Sequence, residues 1–465
     1  MRNRLRAIPP TLFLLAACGD ADPKARGAGD GGGDGGGARP PNVVVVLADD
    51  LGWGDLSVQG SRTIETPALD QLAAEGLRFT QAYSGSTVCT PARAALLTGR
   101  AVPRLSLPGT SFGVYLSDSE GGLDPGEQTL AELLRDAGYR TGLVGKWHLG
   151  KGDDVSPQAQ GFDRFFGLPY SNDLLPLPLL DDGVMIDDVS GLDRQASLSE
   201  RFTAEALSFV RDAAARDVPF FLFYPTPLPH VPLTPGPEFE GRAPRCADVS
   251  APRACGAYAD VVAELDASVG KLLAELDALG VAEDTLVVFT SDNGPWLFQG
   301  EDSGSAGPLR SGKGSTFEGG FRVPLLVRPP GPRAGRVVDA PVTFLDLFST
   351  VVSVTGAPSP TRPTDGRDLT ALLDGGEPPP GEFTYLYTRR DNQTAGALRR
   401  GRYKYKAAVT APESPELPEL HGPLLFDLDA DPAEASDLTA DQPELAAELA
   451  TELERLSGAV SGAAP

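Results

Sequence analysis

Short β-rich runs alternate with amphipathic helical stretches along most of this chain, and no other feature constrains its fold as strongly. Strands are expected at 43–47, 141–144, 220–224, 286–290 and 324–327, with helices at 67–77, 130–137, 202–215, 258–279 and 344–354. The longest helix is the clearest. Val261, Val262, Leu265, Val269, Leu272, Leu273, Leu276 and Leu279 keep a helical period, and Gly280 supplies a stop. Alternation of this kind predicts an α/β fold, a large and mostly parallel sheet covered by helices on both faces. Ligands of such sheets sit beyond the carboxyl ends of the strands.

The domain reading follows the punctuation. A Gly/Pro-rich hinge at 375–381 separates an expected catalytic domain at 41–375 from a smaller C-terminal α+β subdomain at 376–465. Within the latter, a strand at 385–388, a basic hairpin at 398–406, a loop with His421 and a helix at 443–456 predict a short antiparallel sheet plus helix. There is no internal repeat.

The start of the chain reads as an address. Arg2, Arg4 and Arg6 precede a short apolar run and the sequence LAAC, which resembles a bacterial lipoprotein signal over 1–18 with Cys18 as the lipidated residue. A plain secretory signal is the other reading. Residues 19–40 contain a glycine tract too polar to fold, expected to act as a flexible tether. The chain is thus expected in the bacterial cell envelope, touching a membrane only through the lipid on Cys18, or secreted if Cys18 carries none. A formal net charge of −24 argues against nucleic-acid partners. Oligomeric state is not legible.

Export makes the four cysteines informative. Cys246 and Cys255 lie close together in a proline-bounded loop and are expected to pair. With Cys18 given to lipid, Cys89 is left over, either as an inert buried thiol or as a functional residue.

Polar residues that look chemical cluster just after the strands. VVVVLADDLG ends in Asp49 and Asp50, and VVFTSDNG in Asp292 and Asn293. Either pair alone could cap a turn. Two such pairs at one sheet edge suggest four oxygen ligands for a hard cation, Ca²⁺ or Mg²⁺. Three histidines are too few for a two-zinc site. GKWHLG carries Lys146 and His148, PTPLPHVP carries His230, and GKGSTFEGGFRVP carries Lys313. These suit acid, base and anion-binding roles. Around Cys89, Pro91 fits the first turn of a helix running through Leu97, so Arg93, four residues on, shares a face with Cys89 at a helix N-terminus, a setting for an anion.

Taken together, these motifs resemble the formylglycine-dependent sulfatases of the alkaline-phosphatase-like superfamily. CTPAR with AALLTGR is similar to the family signature, and the likeness runs from PNVVVVLADDLGWGD through GKWHLG, PHVP, SDNG and GKGSTFEGGFRVP to LFDLDADPAE. It fits best the arylsulfatase and N-acetylgalactosamine-6-sulfatase-like branch. The resemblance implies that a separate maturation enzyme reads Cys89, Pro91 and Arg93 and converts Cys89 to formylglycine. It implies that Asp49, Asp50, Asp292 and Asn293 hold Ca²⁺, in preference to Mg²⁺, together with the modified Cys89. Arg93, Lys146, His148, His230 and Lys313 would complete a sulfate pocket, and a sulfated small molecule or saccharide would be the substrate. Phe317 stands where the family usually has Trp or Tyr. The stretches 101–123 and 171–198 match nothing and are expected to face the substrate. Two other functions share parts of this pattern: a phosphonate monoester or phosphodiester hydrolase, and an inactive surface lipoprotein that binds sulfated glycans.

Overall fold

The computed structural model describes residues 39–461 apart from 112, 247–253, 392–393, 411–412 and 414–420. The expected leader ending at Cys18, and all of the glycine tether but its last two residues, lie outside the described residues. From Pro40 onward the described residues pack as one compact unit.

The main sheet contains β1 (Asn42–Ala48), β2 (Leu77–Tyr83), β3 (Arg140–Lys146), β4 (Arg164–Leu168), β5 (Pro178–Asp181), β6 (Val184–Asp188), β7 (Phe220–Pro225), β8 (Thr285–Ser291), β9 (Arg322–Arg328), β10 (Arg336–Val338) and β11 (Val342–Thr343). Their order is β10-β2-β9-β8-β1-β7-β3-β4-β5-β6, with β11 beside β2. Strands β8, β1, β7, β3 and β4 are mutually parallel, and β9 runs antiparallel to both β8 and β2. The five expected strands form within a residue or two of their expected ends.

Strand β1 shows why the sheet is buried. Val43, Val45 and Leu47 enter one hydrophobic core, while Val44, Val46 and Ala48 enter the opposite one. Each fully buried Val or Leu contributes about 1.5–3 kcal/mol, which offsets the roughly 1–2 kcal/mol needed to fix each backbone residue. An apolar run cannot choose its own register, since a one-residue slip exchanges equivalent side chains. Asn42 does so instead, donating to Thr285 Oγ1 and accepting from the Phe220 amide, both at 3.3 Å.

Helices α1 (Pro67–Glu75), α2 (Cys89–Thr98), α3 (Leu130–Asp136), α4 (Leu192–Gln195), α5 (Leu198–Ala215), α6 (Gly256–Ala278), α7 (Glu318–Phe321), α8 (Phe344–Thr355) and α9 (Thr370–Leu373) complete the main layer. The side chains of α1, α5 and α6 fill one core, and those of α2, α3 and α8 the other. No helix among the described residues is long and apolar enough to cross a membrane.

Four antiparallel strands, β12 (Thr384–Thr388), β13 (Ala395–Arg400), β14 (Tyr403–Lys406) and β15 (Leu424–Asp427), form the second sheet, with α10 (Pro443–Ser461) against it. Leu398, Tyr405 and Leu425 pack on Leu449 and Leu453 of α10, whereas Tyr385 and Tyr387 pack on Tyr83 and Phe321 of the main layer. Glu318, fully buried, fastens this junction by accepting from Tyr83 and Tyr387 hydroxyls at 2.6 Å and from Lys404 at 3.0 Å. Cys246 and Cys255 are joined by a disulfide.

Candidate active site

The candidate residues converge at the carboxyl edge of the parallel strands. Asp49 and Asp50 follow β1, Lys146 ends β3, His148 lies two residues beyond it, His230 follows β7, and Asp292 and Asn293 follow β8. Cys89 and Arg93 arrive on α2, which starts beyond the carboxyl end of β2. Lys313 enters from the loop ahead of β9, whose reversed direction puts its amino end at the same edge. Backbone bonds lock the edge together: the Asp49 amide donates to the Leu228 carbonyl at 2.9 Å, and that of Asp292 to the Ala48 carbonyl at 3.0 Å.

Asp50 and His148 sit at φ of 65° and 60°. That region is uncommon for residues with a side chain and costs about 1–3 kcal/mol where the surroundings impose it. Both residues flank the Cys89 pocket.

Cys89 Sγ stands 3.5 Å from Asp49 Oδ1 and 3.4 Å from Lys313 Nζ. Burial holds its thiol protonated, well above the ordinary thiol range, with Lys146 and Lys313 opposing. The sulfur is therefore a poor nucleophile as it stands. Arg93 donates to Asp292 Oδ2 through Nε and Nη2 at 3.1 and 2.9 Å, and through Nη1 to the Lys146 carbonyl at 2.8 Å. Lys146 pairs with Asp49 and donates to Ser171 Oγ at 3.1 Å. Lys313 pairs with Asp50 at 2.8 Å.

The charges hold one another in place. Burial would raise Asp49, yet Lys146, His230, Arg93 and Lys313 hold it well below the usual carboxylate range. Burial raises Asp292, with Asp49 adding to it and Arg93 opposing. Lys313 is raised because Asp50, with Asp49 behind it, outweighs its own desolvation. Burial, with Lys146 and Arg93, lowers His148, so its imidazole is neutral at neutral pH. Burial also lowers His230 against the pull of Asp50, whose Oδ2 lies 3.5 Å from its Nε2.

The donor set fits a hard cation. Asp49, Asp50, Cys89 and His230 each offer a ligand atom within 4.8 Å of one another. Asn293 gives its amide hydrogens to Asp50 and the Gly294 carbonyl, while its buried Oδ1 has no hydrogen-bond partner among the described residues. A buried acceptor left over beside two carboxylates is what an oxygen-preferring ion requires. Asp292 reaches this group through Oδ1, which accepts from the Asp50 amide at 3.1 Å.

A cavity of about 400 Å³ opens over Cys89. His148, His230 and Lys313 line it, and so do Ser171, the first residue of the 171–198 stretch, and Trp296 and Arg390, which sequence reasoning missed. Ser171 follows β4, a strand too short to stand out. Trp296 lies three residues beyond Asn293, with Lys313 Nζ 4.8 Å from its ring, so the DNG motif could have pointed to it. Arg390 comes from the β12–β13 connection and carries no local signal. Val114, Leu116, Asp173 and Leu174 place the two unmatched stretches at this cavity. His421 packs its ring against Phe317 instead.

A sheet edge that gathers the cations Arg93, Lys146 and Lys313, the carboxylates Asp49, Asp50 and Asp292, and a helix N-terminus around one residue defines an enzyme site for a tetrahedral anion. The family model described as Sulfatase matches residues 41–357. Arylsulfatase A of Homo sapiens is 40% identical over 457 residues, covering 92% of this chain and 85% of the relative. N-acetylgalactosamine-6-sulfatase of Mus musculus is 39% identical over 359 residues, covering 73% of this chain and 67% of the relative. The crystal structure of the PsFucS1 sulfatase from Pseudoalteromonas sp. has a TM-score of 0.79 at 28% identity, with 91% of each chain covered. The chain belongs to the sulfatase family, on an alkaline-phosphatase-like fold, and is a sulfuric ester hydrolase.

Proposed function

We propose that the chain hydrolyses the sulfate ester of an aryl or sugar alcohol through a formylglycine made from Cys89 by a separate maturation enzyme, with Ca²⁺ bound beside it. The observation that carries this reading is the position of Cys89: buried at the N-terminus of α2, with its Sγ 3.5 Å from Asp49 Oδ1 and 3.4 Å from Lys313 Nζ, among the cations and carboxylates of an anion site. That position suits an oxygen nucleophile made from the residue.

Asp49, Asp50, Asp292 and Asn293 would hold Ca²⁺, which would lower the pKa of a nearby hydroxyl and offset charge on the sulfuryl group. Hydrated formylglycine supplies two hydroxyls on one carbon, one to displace the alcohol at sulfur and one whose deprotonation expels sulfate. Arg93, Lys146 and Lys313 steady the sulfuryl oxygens where charge builds. His230 and Lys313 give the proton to the leaving oxygen, and His148 takes the proton of the second hydroxyl. The cavity suits a single sulfated ring, and its walls from 101–123 and 171–198 choose the alcohol. In the cell, the chain is an exported envelope lipoprotein held by Cys18, or is secreted if Cys18 carries no lipid.

Mass spectrometry of the Cys89 peptide from protein made in its native host tests this directly. Aldehyde in place of thiol is expected; a wholly intact thiol would favour a sulfated-glycan-binding lipoprotein. Rates on a sulfate and a phosphate ester of one alcohol decide against the phosphonate and phosphodiester hydrolases. Faster turnover of the phosphate ester by orders of magnitude would overturn the sulfatase reading.

A further inference from the structure

Thr90 follows Cys89 in the chain, is fully buried, and is not among the residues lining the cavity. Its hydroxyl nevertheless makes two bonds that converge on His148. Oγ1 donates to the His148 carbonyl at 3.0 Å and accepts from the Tyr115 amide at 3.3 Å. His148 Nε2 in turn stands 2.9 Å from the Tyr115 carbonyl. A carbonyl can only accept, so the ring proton of the neutral imidazole resides on Nε2. Nδ1 is left as a bare lone pair, buried and without a hydrogen-bond partner among the described residues.

The backbone of His148 needs such support. At φ 60° it lies in the left-handed region without the freedom of glycine. Thr90 Oγ1 holds its carbonyl and, through the Tyr115 amide, presents the carbonyl that fixes its tautomer. Tyr115 belongs to the 101–123 stretch, so one hydroxyl couples that loop to the imidazole.

The geometry points to Thr90 as a positioning residue that locks His148 in the Nε2–H tautomer and keeps Nδ1 free to accept a proton in the Cys89 cavity. This rests on the base role proposed above for His148, yet the tautomer can be read without it. The maturation signature uses Cys89, Pro91 and Arg93, so position 90 can be changed while conversion is followed by mass spectrometry.

The test compares wild type, Thr90→Val and Thr90→Ser, each with isotope-labelled histidine, by nitrogen-detected magnetic resonance. The His148 signal is assigned by its loss in His148→Gln. Wild type and Thr90→Ser are expected to show the Nε2–H tautomer, and Thr90→Val a mixture of tautomers. On sulfate esters, kcat per aldehyde should fall about 10- to 100-fold in Thr90→Val and recover in Thr90→Ser, with KM changed by no more than about twofold. If the valine variant does not fold, Thr90→Ala carries the same two readings. An unchanged tautomer, or kcat per aldehyde within about twofold of wild type, overturns the proposal. A wild-type protein that carries the aldehyde but turns over no sulfate ester would instead sink the proposed function, leaving the tautomer result to stand by itself.

Discussion

Arg93 and Asp292 are joined by two hydrogen bonds to a single carboxylate oxygen, at 2.9 and 3.1 Å, with both side chains fully buried. The pair ties the helix that carries Cys89 to the end of β8. Removing one partner of a buried pair strands the other charge, at a cost of about 3–5 kcal/mol. Arg93→Met should therefore lose stability on that scale in urea denaturation, and Arg93→Lys somewhat less, because lysine keeps the charge without the fork. Near-wild-type stability of the methionine variant would mean that Asp292 is already protonated.

Gly320 lets the Lys313 loop fold back on itself. A Cβ there would lie 2.2 Å from the Ser315 carbonyl oxygen and 2.9 Å from Thr87 Oγ1. Gly320→Ala should push the loop outward, cutting kcat/KM at least about tenfold and costing about 1–3 kcal/mol. Gly458, in α10 with nothing within 4 Å of its would-be Cβ, is the control. There alanine should leave activity alone and add up to about 1 kcal/mol.

Asp55 gives stability a pH dependence that opposes the usual carboxylate trend. It is buried and accepts from Tyr258 at 2.7 Å, Ser305 at 2.8 Å and Gly52 at 2.7 Å, but burial outweighs these donors and raises it to about 7. Between the ordinary value near 4 and about 7, the folded chain keeps a proton that the unfolded chain has released. Stability from this group is full at low pH and is lost as pH rises through about 7, by at most roughly 4 kcal/mol. Urea midpoints taken on either side of that window should differ less in Asp55→Asn than in wild type. An equal difference would show that Asp55 is not the source.

Calcium should stabilise the folded chain more than magnesium does. At 100 times its Kd, a ligand specific to the folded state adds about 2.7 kcal/mol, which calorimetry reads as a rise in Tm. Asn293→Ala should weaken the effect of Ca²⁺, since it removes the unpartnered Oδ1. Equal stabilisation by both ions, or none by either, would remove Ca²⁺ from the proposal.

Strands buried on both faces announced themselves. β1 and β8 carry continuous apolar runs that end in carboxylates, so both the element and its chemistry were legible. β2 was not, because Arg78, Thr80 and Gln81 are only partly buried and break the apolar run. β5 and β6 pair with each other across only Asp182 and Gly183, but both are short and partly exposed, so no buried apolar run marks them. Most motif residues of the site could be collected from sequence because they sit within a few residues of a strand end or on α2 itself, while Lys313 lies in a longer motif that runs into β9. Arg390 and the Thr90 bonds to the His148 and Tyr115 backbone depend on contacts that only the folded chain creates.

The reversed direction of β9 has a consequence for how this site can change. A strand laid against the grain begins where its neighbours finish, so residues 292–321 leave the edge at the end of β8 and return to it at the start of β9 without crossing a face of the sheet. Asp292 stands at the departure of that excursion, and Lys313 lies eight residues before its close. The chain between them is itself part of the site: Asn293 donates to Asp50, Trp296 lines the cavity, and the Lys313 amide donates to the Pro295 carbonyl at 2.9 Å. Lysine reach and the metal-side floor are thus set by one excursion of the chain, so a change in its length moves both together.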